Sequence, residues 1–535
     1  MQEKIKDKFS KISWKNLSLI LVSGISLALP FVRPWLGWYS LICTMPFLFL
    51  LRKMKLDKLT NKKTIKYIWL VGMVAMAIVV SWMFQLNTTG LLEDKVTRFI
   101  FLPFTLVFMV FIFSSGYAIF GWLYTRLKVD LDRISAFILL PAIWVVSEFL
   151  RSVIFSICML GEGGAVGMHW NFGALGLGAV STPLVFASRL VGMFGLSFLV
   201  VIINLCIFQL IRRKFVLVSI ALLTSAATLS LSGWLLYRNA GVSNADVGIV
   251  HLGAEDDWDY EAKLQSKIDS ENIGKNGLVI FPEYSHLFEN QGLEKADKNL
   301  VNSMLQNVGG RIITTKSVDT EKGETNAVVL LDKDNNELSR QGKTFLIPGG
   351  EYIPYTYKAI LFASGNLDLI HNHEDKYTVY QSKTPIEPLN VNGGKYGVLA
   401  CSGIIAPEFY RDLVGRGAEV LVNSASLSTM GMGQEFFYQA DQMAKFQAIA
   451  NNRYLIQSAR GKKSYVMTNN GLVIAKNDTE NTNYFIGNVE FIKNKTIYTA
   501  LGEWIVYISF IGLGAYLIYL NRRSVGSKRK RKNKK

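Results

Sequence analysis

Seven apolar runs fill the first 240 residues of this chain, and an eighth stands alone near its end. They fall at roughly 16–32, 35–51, 67–85, 98–124, 134–156, 183–211 and 215–237, with the last at roughly 501–520, against about 20 residues needed to span a bilayer. Between 241 and 498 no comparable run exists, and charges, turns and short β-rich stretches take over. A single soluble globule is excluded by this pattern. It predicts a polytopic α-helical membrane domain over 1–240, an extramembrane domain over 241–498, and a final span with a basic tail over 499–535. No small-x-small cleavage site follows the first run, which therefore reads as a retained span and not as a signal peptide.

Lysine and arginine set the orientation, because short loops rich in them stay cytoplasmic. The basic stretches are the N-terminus (Lys4, Lys6, Lys8, Lys11, Lys15), 52–66, 126–133, 212–214 and the tail 522–535. All five fall on one side if every run is a span. That places both termini in the cytoplasm and residues 241–498 on the extracytoplasmic face. The formal net charge of +17 is largely juxtamembrane, so it implies attraction to anionic lipid and no nucleic-acid partner.

Within 241–498, short β-branched runs at 246–252, 277–282, 311–315, 326–331, 397–401, 419–423, 454–458 and 472–475 read as buried strands. Helical patterns occupy 259–272, 293–308, 406–416 and 435–451, so the region is expected to be a layered α/β domain. Three strand-like runs end on residues that chemistry uses: Glu283 after Val-Ile-Phe-Pro, Lys343 opening Lys-Thr-Phe-Leu-Ile-Pro-Gly-Gly-Glu351, and Cys401 after Gly-Val-Leu-Ala. A base, a cation and a thiol are the groups needed for nucleophilic acyl chemistry: proton removal, oxyanion stabilisation and attack. Cys43, Cys158 and Cys206 lie in or beside apolar runs, which leaves Cys401 as the one thiol of the outer domain and rules out a disulfide within it. The histidines show no metal-ligand spacing and no phosphate-binding glycine loop is found, so neither metal nor cofactor is expected.

These segments, with Tyr352-Ile-Pro354 and Pro407-Glu408, resemble the nitrilase (carbon–nitrogen hydrolase) superfamily. Within it, the Lys343–Tyr352 stretch is similar to the apolipoprotein N-acyltransferases, as are Trp144-Val-Val-Ser-Glu148-Phe-Leu-Arg151 and Gly192-Met-Phe-Gly195-Leu-Ser197 with Asn204. The resemblance implies a nitrilase-like αββα sandwich attached to a bacterial inner membrane. It implies an acyl chain taken from a phospholipid, held as a thioester on Cys401, and passed to the N-terminal amine of a diacylglyceryl-cysteine lipoprotein. Glu283 would be the base and Lys343 the oxyanion cation, with the lysine also depressing the Cys401 pKa. Glu351 would fix Lys343 or share its proton traffic. Trp258 would align with a family tryptophan that shapes the acyl pocket, and Asn326 and Glu408 match positions read as scaffold. Apart from the resemblance, the aromatic and methionine-rich segments 352–362 and 430–437 are expected to line an apolar slot for the acyl substrate, with Tyr352 a contact residue.

The chain departs from the family just after the nucleophile, where Tyr-Glu is replaced by Ser402-Gly403, and again at Asn423-Ser-Ala-Ser and Gln447-Ala-Ile-Ala450. The glutamate that assists catalysis is thus missing from its expected place, which leaves the acceptor amine open. The alternatives are a membrane-tethered amidase with water as acceptor, an acyltransferase for another amine, and a binding-only relative. The glycine-rich stretch 161–178, with His169 and Trp170, reads as an interhelical loop or a lip for lipid entry. Glu148 and Arg151 are expected to pair with each other or with Arg189.

Overall fold

The fold is described from a computed structural model covering residues 14–85, 95–238, 241–253, 264, 267–268, 277–283, 285, 310–320, 323–332, 334–363, 365, 368, 370–371, 385–427, 434–461, 463–479 and 481–532. Helices α1 (Trp14–Ala28), α2 (Met45–Leu56), α3 (Asn61–Val79), α4 (Lys95–Arg126), α5 (Ala136–Cys158), α6 (Ser188–Ile211) and α7 (Val216–Tyr237) form the first part of the chain. Among the described residues eight helical segments are long and apolar enough to cross a membrane, from Trp14–Phe31 through Val216–Tyr237 to Trp504–Arg523. They coincide with the eight apolar runs.

Several polar side chains inside this bundle find backbone partners, as a hydrocarbon surrounding favours. Asn204 Nδ2 donates to Ser40 O and Val200 O while its Oδ1 accepts from Thr44 N, tying α6 to the start of α2. Helix α6 breaks at Gly192, whose φ of +72° suits a residue without Cβ. The N–H groups freed at Met193 and Phe194 donate to the two carboxylate oxygens of Glu503, at 2.9 and 3.0 Å. The expected pairing of Glu148 is not found: its Oε1 accepts from the Trp144 indole and from Leu175 N. Arg189 instead donates to carbonyls of Ile449, Gly233 and Asn469 and to Asn470 Oδ1.

At one end of the bundle three basic loops converge. Asp132 binds Lys214 at 2.9 Å and Lys55 at 3.4 Å and also pairs with Arg212, while Asp130 pairs with Lys55. Hydrogen bonds from Lys214 and Arg212 hold the Asp132 carboxyl well below the usual carboxylate range. The other end receives the rest of the chain: Cys158, Met159 and Leu160 at the end of α5 and Val79 at the end of α3 all accept hydrogen bonds from it.

That remaining part is built from two six-stranded sheets. One contains β1 (Gly241–His251), β2 (Leu278–Ile280), β3 (Arg311–Thr320), β4 (Gly323–Asp332), β5 (Glu337–Gly342) and β12 (Asn483–Ile492), in the order β12-β1-β2-β3-β4-β5. The other contains β6 (Leu389–Val391), β7 (Gly394–Ala400), β8 (Val420–Ser426), β9 (Tyr454–Arg460), β10 (Tyr465–Met467) and β11 (Val473–Lys476), in the order β11-β10-β9-β8-β7-β6. β1, β2 and β3 run parallel, as do β7, β8 and β9, so strand C-termini gather at one edge of each sheet.

Strand alternation sorts the core into layers. Leu278, Ile280, Val328, Val398, Val420 and Val422 pack between the sheets. Val279, Ile312 and Val329 face outward onto Leu264 and Ile268. On the far side, α9 (Pro407–Gly415) and α10 (Gln434–Ala450) cover the second sheet, and this layer is continuous with the core of the bundle. A further helix, α8 (Tyr355–Ala363), follows the Lys343 segment, and α11 (Trp504–Lys532) closes the chain. The eight strands expected from sequence are present, but β11, expected to be buried, is an exposed edge strand. The apolar pattern does not foresee β5, β6, β10, β12 and α8, and β5 shows why: its Glu337, Leu338 and Arg340 lie on a polar edge that offers no apolar run to read. The predicted helices 259–272 and 293–308 lie almost wholly outside the described residues.

Candidate active site

The two sheets are pinned together where their strand C-termini meet. Ser424 Oγ on β8 donates to Phe281 O at 2.9 Å, and Ser458 Oγ on β9 donates to Val250 O and Ile280 O at 2.7 and 3.1 Å. Phe281 leads through Pro282 to Glu283, while Ser424 lies two residues before Ser426, whose carbonyl faces Cys401 Sγ at 3.4 Å. This cross-sheet bond brings the first predicted residue to the third.

Lys343 emerges from β5 with its backbone N–H on Asn326 O at 2.7 Å, which fixes where the side chain starts. Its Nζ reaches Glu283 Oε1 at 2.9 Å and Glu351 Oε1 at 2.6 Å, and both Lys343 and Glu283 are buried. Glu351 is held by the turn it closes: its Oε2 accepts from Ile347 N at 2.8 Å and its own N–H returns to Ile347 O at 2.9 Å. Burial raises the Glu351 carboxyl above the usual range against the pull of Lys343, with Glu283 adding to the rise. One cation is therefore shared by two carboxyl groups.

Cys401 sits at the turn from β7 into a short 3-10 segment (Cys401–Ile405) with φ of +33°, a left-handed conformation that costs a side-chain-bearing residue energy. Asn423 Nδ2 holds its carbonyl at 3.0 Å. Burial pushes the thiol up to about 12; Glu283 adds to this, Lys343 opposes it, and Glu351 adds again. The expectation of a depressed thiol is thus corrected. Lys343 does favour the thiolate, but desolvation and two carboxylates outweigh it. A resting thiol with a carboxylate at hand needs a base at the moment of attack.

Residues 23–206 match the family described as the apolipoprotein N-acyltransferase N-terminal domain, and residues 254–492 match the carbon-nitrogen hydrolase family. Among similar proteins, the apolipoprotein N-acyltransferase of Geobacter metallireducens is 22% identical over 96% of this chain and 97% of its own. That of Rickettsia bellii is 25% identical over 70% of this chain and 74% of its own, and that of Coxiella burnetii 25% over 80% and 85%. The chain belongs to the apolipoprotein N-acyltransferase family. It is a membrane protein with a nitrilase-like sandwich.

Against that family, the structure explains one departure. A Cβ on Gly403 would lie 2.4 Å from Leu399 Cβ, so this backbone has no room for the glutamate expected there. Ser402, in place of the tyrosine that the resemblance leads one to expect, donates from Oγ to Phe345 O at 2.6 Å and so ties the Cys401 loop to the Lys343 segment. The next carboxylate along the chain, Glu408, opens α9 and is paired with His169. The sequence alone marks Glu408 as scaffold and His169 as part of a loop, and no local signal joins two residues so distant in the chain.

Tyr352, expected to contact substrate, is buried and donates its hydroxyl to Met159 O at 2.8 Å. With Tyr355 N on Leu160 O and Thr356 Oγ1 on Cys158 O, both at 2.7 Å, it fastens the lysine segment to the end of α5. Gly161 and Gly163 of the glycine-rich loop meet Tyr352 and Leu346 so closely that a Cβ at either would approach within 2.6 Å. Along α8, Tyr357 faces inward while Tyr355 and Phe362 are exposed at 54% and 70%, which presents an apolar face beside the site. Trp258 and residues 430–433 lie outside the described residues.

Proposed function

We propose that Glu283, Lys343 and Cys401 carry out acyl transfer from a membrane phospholipid to the N-terminal amine of a diacylglyceryl-cysteine lipoprotein. The observation that supports this most is Lys343 Nζ held 2.9 Å from Glu283 in the buried cluster that also polarises Cys401, in a chain whose relatives are named apolipoprotein N-acyltransferases.

In the first half-reaction Glu283 takes the Cys401 proton and Sγ attacks the ester carbonyl. Lys343 stabilises the oxyanion as the tetrahedral adduct forms. The adduct collapses by breaking the bond to the glycerol oxygen, which leaves as the lysophospholipid alcohol with the proton held by Glu283. An acyl thioester remains on Cys401. In the second half-reaction Glu283 takes a proton from the acceptor's ammonium, and the free amine attacks the thioester. As the bond to sulfur breaks, the nitrogen's second proton passes to the leaving thiolate, and Glu283 releases the first to solvent. Splitting the transfer lets two bulky lipids use one site in turn.

The sandwich (241–498) is read as extracytoplasmic, the helices of 1–240 and the closing span of 499–535 as crossing a bacterial cell membrane, and both termini as cytoplasmic. The convergence of Lys55, Asp130, Asp132, Arg212 and Lys214 at the end of the bundle away from the sandwich supports this orientation.

Intact mass of the full chain after incubation with phospholipid, beside Cys401→Ala, tests the reading. A hydroxylamine-labile acyl adduct on the unaltered chain alone is expected, and adding a diacylglyceryl-cysteine peptide should discharge it onto the peptide amine. No adduct across several phospholipids sinks the proposal, and discharge to free fatty acid with no acylated peptide favours hydrolysis.

A further inference from the structure

The segment that carries Lys343 is gripped from outside the sandwich. Phe345, two residues past the lysine, is buried, with its ring 4.5 Å from His169, 5.5 Å from Trp170 and 6.1 Å from Phe409. Its carbonyl accepts from Ser402, the residue after the nucleophile. His169 is 1% exposed; its Nδ1 meets Glu408 Oε1 and its Nε2 faces Ala165 O at 3.1 Å. Gly167 lies flat against this pair: a Cβ there would stand 2.3 Å from His169 Cε1 and 2.9 Å from Glu408 Oε1. One imidazole thus touches three elements: the loop after α5, helix α9 behind the nucleophile, and the lysine segment.

We propose that His169, fixed by Glu408, is a positioning residue for acyl transfer, holding Phe345 so that Lys343 stands at the correct place beside Cys401. The inference rests on the roles given above to Lys343 and Cys401. Both ring nitrogens face acceptors, so rotating the ring breaks a hydrogen bond in either direction and its orientation is fixed. Glu408 reaches His169 from the first turn of α9, which begins six residues beyond Cys401 and moves with it. The pair therefore couples the loop at the head of the bundle to both halves of the site. A shift of about 1 Å in a group that stabilises the transition state costs on the order of a hundredfold in rate.

Single-turnover acylation of Cys401 in the full chain, followed by intact mass, separates positioning from folding. The amplitude reports the competent fraction and the rate constant reports the transition state. His169→Ala should keep most of the amplitude and lose at least about tenfold in rate constant. Glu408→Gln, which preserves a hydrogen-bonding partner, should stay within about threefold of the unaltered chain, whereas Glu408→Ala and Gly167→Ala should resemble His169→Ala. The double variant His169→Ala/Glu408→Ala should be no slower than His169→Ala alone. A loss of amplitude at unchanged rate constant, or equal rate constants for Glu408→Gln and Glu408→Ala, overturns the proposal. The latter comparison decides the matter even if His169→Ala does not fold. If the unaltered chain forms no acyl adduct, the functional reading has failed, and alkylation of Cys401 by iodoacetamide, which needs no lipid, carries the same comparison.

Discussion

Lys343 and Glu283, sixty residues apart in sequence, meet at 2.9 Å in a buried ion pair that Glu351 completes. Breaking one side of such a pair leaves an uncompensated charge and costs roughly 3–5 kcal/mol. Lys343→Met, which leaves two carboxyls without their cation, should therefore lower the thermal midpoint in detergent as well as abolish acylation. Glu283→Gln keeps a hydrogen-bonding partner for the lysine. It should leave the midpoint within a few degrees while slowing Cys401 acylation by about 10²–10⁴-fold, the usual scale for a lost general base. A Glu283→Gln chain that acylates at the normal rate would show that another group takes the proton.

The elevated thiol makes a second prediction with a definite sign. With Cys401 pushed up to about 12, chiefly by burial and then by Glu283, thiolate is scarce at neutral pH. Its alkylation by iodoacetamide should climb steadily from pH 7 to pH 10 without a plateau. Removing the charge of Glu283 removes the second-largest cause of the rise, so Glu283→Gln should alkylate faster at pH 9 even as its acylation slows. Opposite responses to one substitution separate thiol acidity from base catalysis. A plateau below pH 8 would mean that the thiolate is stabilised after all.

How much of the site is legible in the sequence depends on whether the contact is local. Glu283, Lys343 and Cys401 each stand at the end of an apolar run or next to one, so strand alternation and the position of the run disclose them from the sequence alone. Glu351 follows from its place eight residues beyond the lysine. The direction of the Cys401 shift is not legible, because residue types do not reveal burial, and here burial outweighs the nearby cation. The pairing of His169 with Glu408 and the contacts of Arg189 with the Ile449 and Asn469 carbonyls join residues more than two hundred positions apart, and no periodicity encodes them. The absence of room at Gly403 depends on Leu399, which packs back against it from the preceding strand.

Arg189 is the clearest case of a residue whose role only the fold supplies. It is fully buried, and its guanidinium donates to Gly233 O within the bundle and to Ile449 O, Asn469 O and Asn470 Oδ1 in the sandwich. Five donors in a rigid planar fork suit that spread of acceptors, and a lysine offers neither the shape nor the number. Arg189→Lys and Arg189→Ala should both lower the thermal midpoint by several degrees, consistent with a loss of roughly 2–4 kcal/mol, and should speed proteolysis of the sandwich. A lysine variant as stable as the unaltered chain would mean that charge alone, and not the fork, holds the two parts together.

Gly403→Glu puts back the carboxylate that the family resemblance leads one to expect, and it should do harm. The added Cβ would meet Leu399 Cβ at 2.4 Å, far inside contact distance, and Leu399 belongs to the packed layer behind Cys401. Overpacking of this kind costs roughly 1–3 kcal/mol, and the backbone shift that relieves it must move Cys401, two residues away. The expected result is a lower thermal midpoint together with slower acylation. Gly403→Glu paired with Leu399→Ala, which vacates the contested space, should recover part of the acylation rate. If Gly403→Glu alone acylates faster than the unaltered chain, the turn is more pliable than its packing indicates, and the missing carboxylate limits the reaction.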